Sequence, residues 1–440
     1  MRLLLAPLVC SSLLAGCVAP GMKQLHVRDA PSSAQVRCTT EPDRQLPLCT
    51  EEQRAWEQTW REVPGVRGDH LRLVVTGDAG MRDGDRPSPG ALAVATSAKA
   101  VCRGTCDGVL FLGDDVYWTG IDEGAAGDDG RQFLRALLNA YDLPHAWLVA
   151  GNHDWGPSGL AYGAAPSRDR VQRLFEVVRE DDASGDRMRG DAHFWQATMG
   201  PLEVAALDTT WLVRRCHGSS VRCSGDREGT ALVDALPTMA GSADLVVGHH
   251  PWHSNGGHGS AGHYRDLGPI SQGKGEALAA TLQQLGPPLY LAGHDHGTQV
   301  HLDADGHLSL VLGAGSKAEP PSRHPQEELL YEDWCRLGFA VIEAEGDALA
   351  IQVYTLDEPD TKASSEERHS CRDVLSERVG PVTTLPGEHV RESLPSTDLR
   401  CARFARRSAG WLREQGCTTF QPPPPPPAPE PGPLGIPAIP

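Results

Sequence analysis

Four things are missing from this sequence, and each removes a class of function. There is no excess of positive charge: Lys and Arg total 40 against 58 Asp and Glu, a formal net charge of −18. A chain this acidic is poorly suited to binding nucleic acid or an anionic membrane surface through its own charge. It stays compatible with a phosphorylated substrate, because bound metal ions can dominate the field of a site. Beyond the first residues no apolar run reaches the roughly 20 residues that a transmembrane helix needs. No internal repeat is visible, so a solenoid is not expected. Cys102 and Cys106 have no second pair nearby at zinc-finger spacing, which argues against a metal role for them.

What is present begins with size: 440 residues, 40% of them hydrophobic, enough for one large catalytic domain with appendages or for two domains. The opening stretch, MRLLLAPLVCSSLLAGC, reads as an export signal. Arg2 supplies the positive start, and the apolar run from Leu3 to Leu14 is too short to span a bilayer. The run ends in Leu14-Ala15-Gly16-Cys17, which resembles the lipobox of bacterial lipoproteins, where the Cys is lipidated and becomes the mature N-terminus. An ordinary cleavable signal with a chance Cys is the alternative. Val18, where an Asp would resemble an inner-membrane retention signal, favours the outer membrane. The expectation is an exported, lipid-anchored envelope protein. Of 12 Cys, ten remain after Cys10 and Cys17, an even number that suggests disulfides in an oxidising compartment. Cys38/Cys49, Cys102/Cys106, Cys216/Cys223, Cys335/Cys371 and Cys401/Cys417 are plausible local pairs, but spacing does not fix the connectivity.

Residues 18–68 read as a tether and lead-in. From Leu71 the character changes to short apolar runs separated by helical stretches. Helices are expected over Ala91–Val101, Arg131–Tyr141 and Val171–Arg179, and strands over Phe194–Thr198 and Val204–Leu207. Five apolar runs each stop at Gly followed by metal-capable residues: Gly77-Asp78-Ala79-Gly80, Gly113-Asp114-Asp115, Gly151-Asn152-His153-Asp154, Gly248-His249-His250 and Gly293-His294-Asp295-His296. Alternating helices and strands argue for an α/β fold, in which ligand sites gather beyond strand C-termini. Two hairpins are expected later, Thr298–Leu302 with Leu308–Leu312 and Phe339–Ile342 with Leu349–Tyr354. Residues 357–420 are polar and read as a Cys-containing extension. The Pro-rich tail, 421–440, favours polyproline II or disorder and serves as a solvated spacer or a docking peptide.

Singly, these motifs are weak, since a Gly-Asp after a strand is usually a turn. The ordered set of five carries the signal. Carboxylates, an amide oxygen and imidazoles without a thiolate suit Fe, Mn or Zn. One carboxylate can bridge two such ions about 3.5–4 Å apart, which would bind phosphate oxygens and lower the pKa of a bound water.

From about Leu71 to Leu356 the motifs resemble the calcineurin-like metallophosphoesterases, which implies a catalytic domain over 69–356. Two details resemble its purple acid phosphatases. The usual Asp-x-His of the first motif is here Asp78-Ala79-Gly80, and Tyr117, three residues after Asp114, stands as the Tyr that replaces the missing His. The flanking GDDVYWTG, LVAGNHD, GHHPWHS and GHDHGTQ look closer to the small mammalian-type enzymes than to the large plant ones. The resemblance implies a four-layer αββα sandwich of two mixed β-sheets flanked by helices. It implies a first metal, Fe(III), on Asp78, Asp114, Tyr117 and His296. A second, divalent Fe, Zn or Mn, would sit on Asp114, Asn152, His249 and His294. His153 and His258 would be the outer residues that contact phosphate and protonate the leaving group, with His253 and His263 as alternatives to His258. Trp118, Trp155 and Trp252 either line the mouth or pack. The implied activity is hydrolysis of phosphate monoesters, on a small phosphoester or a phosphoprotein. A phosphodiesterase or nucleotidase of the same fold, and an inert surface lipoprotein, are the rival readings.

Overall fold

A computed structural model of the chain describes residues 60–156, 165–180, 188–190, 193–214, 240, 243–261, 264, 269–303, 307–320, 329–346 and 348–356, with short strands at 383–384, 390–392, 402–407 and 410–414. The leader, Cys17, the lead-in up to residue 59, His263 and the Pro-rich tail lie outside the described residues.

The chain order is β1 (Trp60–Glu62), β2 (His70–Thr76), a small hairpin of β3 (Arg82–Asp83) and β4 (Arg86–Pro87), α1 (Pro89–Cys102), β5 (Gly108–Phe111), α2 (Gly124–Tyr141), β6 (His145–Leu148), α3 (Ala165–Glu180) and β7 (Met188–Gly190). Then come β8 (Phe194–Met199), β9 (Leu202–Leu207), α4 (Thr209–Arg214), β10 (Leu245–Gly248), α5 (Pro269–Leu285), β11 (Leu289–Ala292), β12 (Thr298–Leu302), β13 (Leu308–Leu312) and β14 (Leu329–Asp333). The C-terminal strands are β15 (Gly338–Glu345), β16 (Ala348–Leu356), β17 (Thr383–Thr384), β18 (Val390–Glu392), β19 (Ala402–Arg407) and β20 (Gly410–Glu414). One sheet has the order β1-β8-β9-β10-β11-β13-β12-β14; the other runs β17-β18-β16-β15-β2-β5-β6-β7, with β19 and β20 added beside β16. Both are mixed, with parallel cores β2-β5-β6 and β9-β10-β11.

The strands read as near-continuous apolar runs because both of their faces are buried. Along β2, Leu71, Leu73 and Val75 meet Trp195, Val204, Leu245, Leu289 and Leu310 of the facing sheet. Val74 points the other way, with Val109 and Leu148, into a cluster with Ala91 and Val94 of α1, Phe133 of α2 and Phe175 of α3. On the far sheet, Val246 and Tyr290 turn outward into the cluster that holds Leu278 and Leu282 of α5. Alternation with a period of two thus produces four layers, helices, sheet, sheet, helices. This is the mixed α/β sandwich expected from the sequence.

Local chemistry sets the ends. Ser88 caps α1 by accepting from the Ala91 N–H at 3.2 Å, Pro89 occupies the first turn, and Arg103 closes it with φ 48°. The Cys102–Cys106 disulfide forms just beyond. Cys335 is also disulfide-bonded, and its expected partner Cys371 lies outside the described residues. Helix α2 starts at Gly124, a full turn and more before the expected Arg131. Of the described strands of the C-terminal extension, β18 and β19 pair with β16, and β17 and β20 pair with those, so they extend the sheet that holds β2. Among the described residues no helix is long and apolar enough to cross a membrane.

Candidate metal centre

Register decides where the motifs fall. In one sheet Thr76 is level with Phe111, and Phe111 with Leu148, so Asp78, Asp114 and Asn152 leave the same edge side by side. In the other sheet Val247 is level with Leu291, so His249 and His294 leave together. The two edges face each other, and Asp78 spans them: its Oδ2 accepts the His294 backbone N–H at 2.7 Å and its Oδ1 accepts the Tyr117 hydroxyl at 2.7 Å. Asp78, Asp114 and His294 have left-handed backbone, φ 57°, 54° and 70°. Such conformations cost about 1–3 kcal/mol each and turn the side chains into the gap. Gly113 is required by close approach, since a Cβ there would lie 2.6 Å from His249 Nδ1.

The structure brings the seven expected ligands together. Around Asp78, the His296 Nε2 lies 3.3 Å from Oδ1 and 3.1 Å from the Tyr117 hydroxyl. Around Asp114, the His249 Nε2 lies 3.4 Å from Oδ1, 3.0 Å from Asn152 Oδ1 and 3.2 Å from His294 Nδ1. Asp78, Asp114 and His249 each offer an atom within 4.8 Å of the others, and all three are buried. His249 Nδ1 donates to the Leu112 carbonyl at 2.8 Å, so in the neutral ring Nε2 presents a lone pair. That lone pair faces the oxygens of Asp114 and Asn152. Lone pairs converging in a buried space repel unless a cation lies among them, and nitrogen and oxygen donors of this kind fit first-row transition ions.

The electrostatics point the same way. Burial would raise the Asp114 pKa, but His249, His153 and the His153 N–H hold it down at about 2. Burial, then Asp114 and Asp78, push the Tyr117 phenol well above its ordinary value. A nearby cation inverts that balance. Burial would lower the His296 pKa, but Glu319 and Asp78 lift it to about 10.

The two outer residues sit beside different ligands, His153 by Asp114 and His258 by His294. His153 Nδ1 donates to the Trp118 carbonyl at 2.9 Å, its backbone N–H donates to Asp114 at 2.8 Å, and its Nε2 stands 3.9 Å from Asp114 Oδ2. The His258 ring lies 4.5 Å from that of His294 and 5.7 Å from that of His296. His253 stacks on Trp252 and faces His301, turned away from the cluster. The three Trp side chains separate: Trp155 and Trp252 are 5% and 6% exposed and pack, while Trp118 is 54% exposed at the mouth.

Several supporting residues were given no role by the sequence, although Asp154 and Asp295 stand within the motifs themselves. Glu319 Oε1 lies 2.8 Å from His296 Nδ1 and pairs with Lys317. His258, His296 and Glu319 form a second trio of potential ligands, but the Lys317 ammonium already neutralises that carboxylate. Asp154 accepts the Gly151, Asp115 and Val116 N–H groups at 2.8, 3.0 and 3.0 Å, tying the loop after β6 to the loop after β5. Thr209 Oγ1 accepts the His249 and His250 N–H groups at 3.1 and 3.0 Å. Gln299 accepts the Asn255 N–H at 2.7 Å and donates to Ser254, and Asp295 accepts the His258 N–H at 2.8 Å, which fixes the loop that carries His258.

Residues 71–298, just over half of the chain, match the family described as calcineurin-like phosphoesterases. Purple acid phosphatase 17 of Arabidopsis thaliana is 27% identical over 275 residues, covering 58% of this chain and 71% of that protein. Among solved structures, the purple acid phosphatase PPD1 of yellow lupin (Lupinus luteus) is 15% identical with a TM-score of 0.46, over 68% of this chain and 53% of that one. GAP50, the anchor in the inner membrane complex of Plasmodium, is 17% identical with a TM-score of 0.44, over 67% and 86%. Neither structural likeness bears on function.

Proposed function

The chain belongs to the calcineurin-like phosphoesterase family, and from that premise we propose that it hydrolyses phosphate monoesters at two metal ions held between its sheets. The observation that carries this reading is the convergence of lone pairs from Asp114, Asn152 and His249 in a buried space. Asp78, Asp114, Tyr117 and His296 would hold the first ion. Asp114, Asn152, His249 and His294 would hold the second. The three anionic oxygen donors of the first position favour Fe(III), and the imidazole-rich second position favours divalent Fe, Zn or Mn. The purple acid phosphatase among the relatives supports a binuclear metal centre here. Bound in these positions, the ions supply Lewis acidity toward the phosphate oxygens and an acidified water as nucleophile.

The protein's own side chains supply the proton and the orientation. The Trp118 carbonyl accepts the Nδ1–H of His153, which leaves Nε2, the nitrogen that faces the cluster, to carry the transferable proton when the ring is an imidazolium. As the ester P–O bond breaks, its electron pair leaves with the ester oxygen, which takes that proton. His258, on the loop after β10 and beside His294, would do the same. The substrate would be a small phosphoester or a phosphoprotein. The leader and Cys17 support an exported lipoprotein: Cys17→Ser should move the protein from the membrane fraction to the soluble one, and unchanged mass and membrane association would remove that part.

Metal analysis of the purified protein with a panel of monoesters, diesters and nucleotides tests the reading. Expected are two ions per chain, iron among them, monoesters turned over fastest, and a visible absorption band that Tyr117→Phe abolishes. A chain that binds one ion or none overturns the two-metal centre. Faster diester cleavage overturns the monoester assignment, and a colourless protein holding only Mn or Zn withdraws the iron.

A further inference from the structure

Behind His296 stands a short strap, residues 332–335, where β14 ends before β15. Trp334 and Cys335 are both buried. A Cβ on Gly297, the residue after His296, would lie 2.3 Å from Trp334 Cε3, so the indole rests directly on that backbone. The Cys335 N–H donates to the Glu319 carbonyl at 3.2 Å, and the Glu319 N–H donates to the His296 carbonyl at 2.9 Å. Glu319 Oε1 also lies 2.8 Å from His296 Nδ1, so Glu319 grips this ligand by ring and by backbone, and Cys335 holds Glu319. The strap reaches the loop of His258 as well: Trp334 Nε1 and Asn255 Nδ2 both donate to Glu332 Oε2, at 3.0 and 3.4 Å.

What fixes the strap is covalent. Cys335 has φ 67°, a conformation that residues with a Cβ rarely take unless their surroundings impose it. Its sulfur is cross-linked by a disulfide to a cysteine outside the described residues. A cross-link confines a segment by removing arrangements open to the free chain. The donors of the second position are braced elsewhere, His249 by the Leu112 carbonyl and the loop of Asn152 by Asp154. We propose that the Cys335 disulfide is a positioning cross-link for the first metal ion: it keeps Trp334 on Gly297 and Glu319 on His296, and without it the chain retains the second ion but holds the first weakly. This rests on the two-metal reading above. The bond forms when two thiols give two electrons and two protons to a disulfide oxidant, which becomes two thiols. The first ion should therefore load fully only once the chain is oxidised.

Chelator competition with metal analysis follows each ion, and the visible band reports the first where it is iron. In Cys335→Ser the affinity for the first ion should fall about 10–100-fold, the size expected when a ligand loses its outer support, while the second changes little. Replacing Cys102 and Cys106 by Ser opens the disulfide before the start of β5, away from the metal edge, and should change neither. Equal loss of both ions, a first ion held as in the wild type, or the same loss in the Cys102 and Cys106 variant overturns the cross-link's role. Should Cys335→Ser fail to fold, the folded wild type is partly reduced with a dithiol, alkylated and mapped by mass spectrometry. Loss of the first ion should then track opening at Cys335, and loss that tracks Cys102–Cys106, or no loss, overturns it. If the wild type binds one ion or none, the two-metal reading falls by itself, and hydrogen exchange of the metal-free chain judges the cross-link. The Glu319 amide should exchange at least about tenfold faster once the Cys335 disulfide is open, with Gly151 unchanged; an unchanged Glu319 overturns it.

Discussion

The two sheets contribute unlike halves to the site. The edge of β2, β5 and β6 supplies oxygen, from Asp78, Asp114 and Asn152, with Tyr117 from the loop after β5. The edge of β10 and β11 supplies nitrogen, from His249, His294 and His296. Their supports differ in the same sense. The oxygen half is braced by backbone N–H donors, three of them on Asp154. The nitrogen half is oriented by acceptors, the Leu112 carbonyl behind His249 and Glu319 behind His296. Each half thus has its lone pairs aimed by a support of the opposite character, and neither half alone could enclose two ions.

The largest break in this division should come from the residue that both ions would share. Asp114→Ala removes the bridging oxygen, and we expect loss of both ions and of turnover by orders of magnitude, read by metal analysis and steady-state kinetics. Two retained ions with near-normal turnover would defeat the assignment.

A residue of neither half gives the next effect. His153→Ala should leave metal content nearly intact and lower kcat by about 10²–10⁴-fold, most for esters with poor leaving groups. Loss of metal without a leaving-group trend would move His153 into the ligand set. His258→Ala should behave in the same way.

Glu319→Gln sharpens the comparison, because it keeps the side chain's shape while removing the charge that orients His296. Metal affinity should fall by about 10–100-fold, the usual cost of losing an outer carboxylate, read by competition with a chelator. A change confined to kcat would show that Glu319 does not act through His296.

The smallest effect should appear in acid. His301, through Gln299, backs the loop that carries His258. Burial, and then His253, lower its pKa to about 3. The unfolded chain therefore binds the proton first, so this contribution to stability is whole above about pH 6.5 and is lost as pH falls toward 3. Hydrogen exchange should show the 251–261 loop opening before the loop at Gly151–Asp154 as pH falls. His301→Gln should flatten that dependence, and simultaneous opening of both loops would count against it.

The strand ends were legible because each of the five motifs follows an apolar run, and sheet register alone carries such ends to a common edge. The supports were not. Glu319 lies two strands beyond His296 in a stretch with no motif, so only the tertiary structure joins them. Trp118, Trp155 and Trp252 all flank motif residues, and nothing in the chain separates the exposed one from those that pack. The early start of α2 was not expected because GAAGDDG carries three glycines, residues of poor helix propensity.

Asp154 has one more consequence. By holding N–H groups from two loops, it makes Asp114 and Asn152 parts of a single rigid body with a fixed bite. A fixed bite acts as a gauge of ionic radius. It favours ions that take short bonds to a few donors and disfavours calcium, which wants six to eight oxygens at about 2.3–2.6 Å. Selection of the right metal from a mixed supply would then depend on a carboxylate that never touches it, and Asp154→Ala should first show itself as tolerance of the wrong ion.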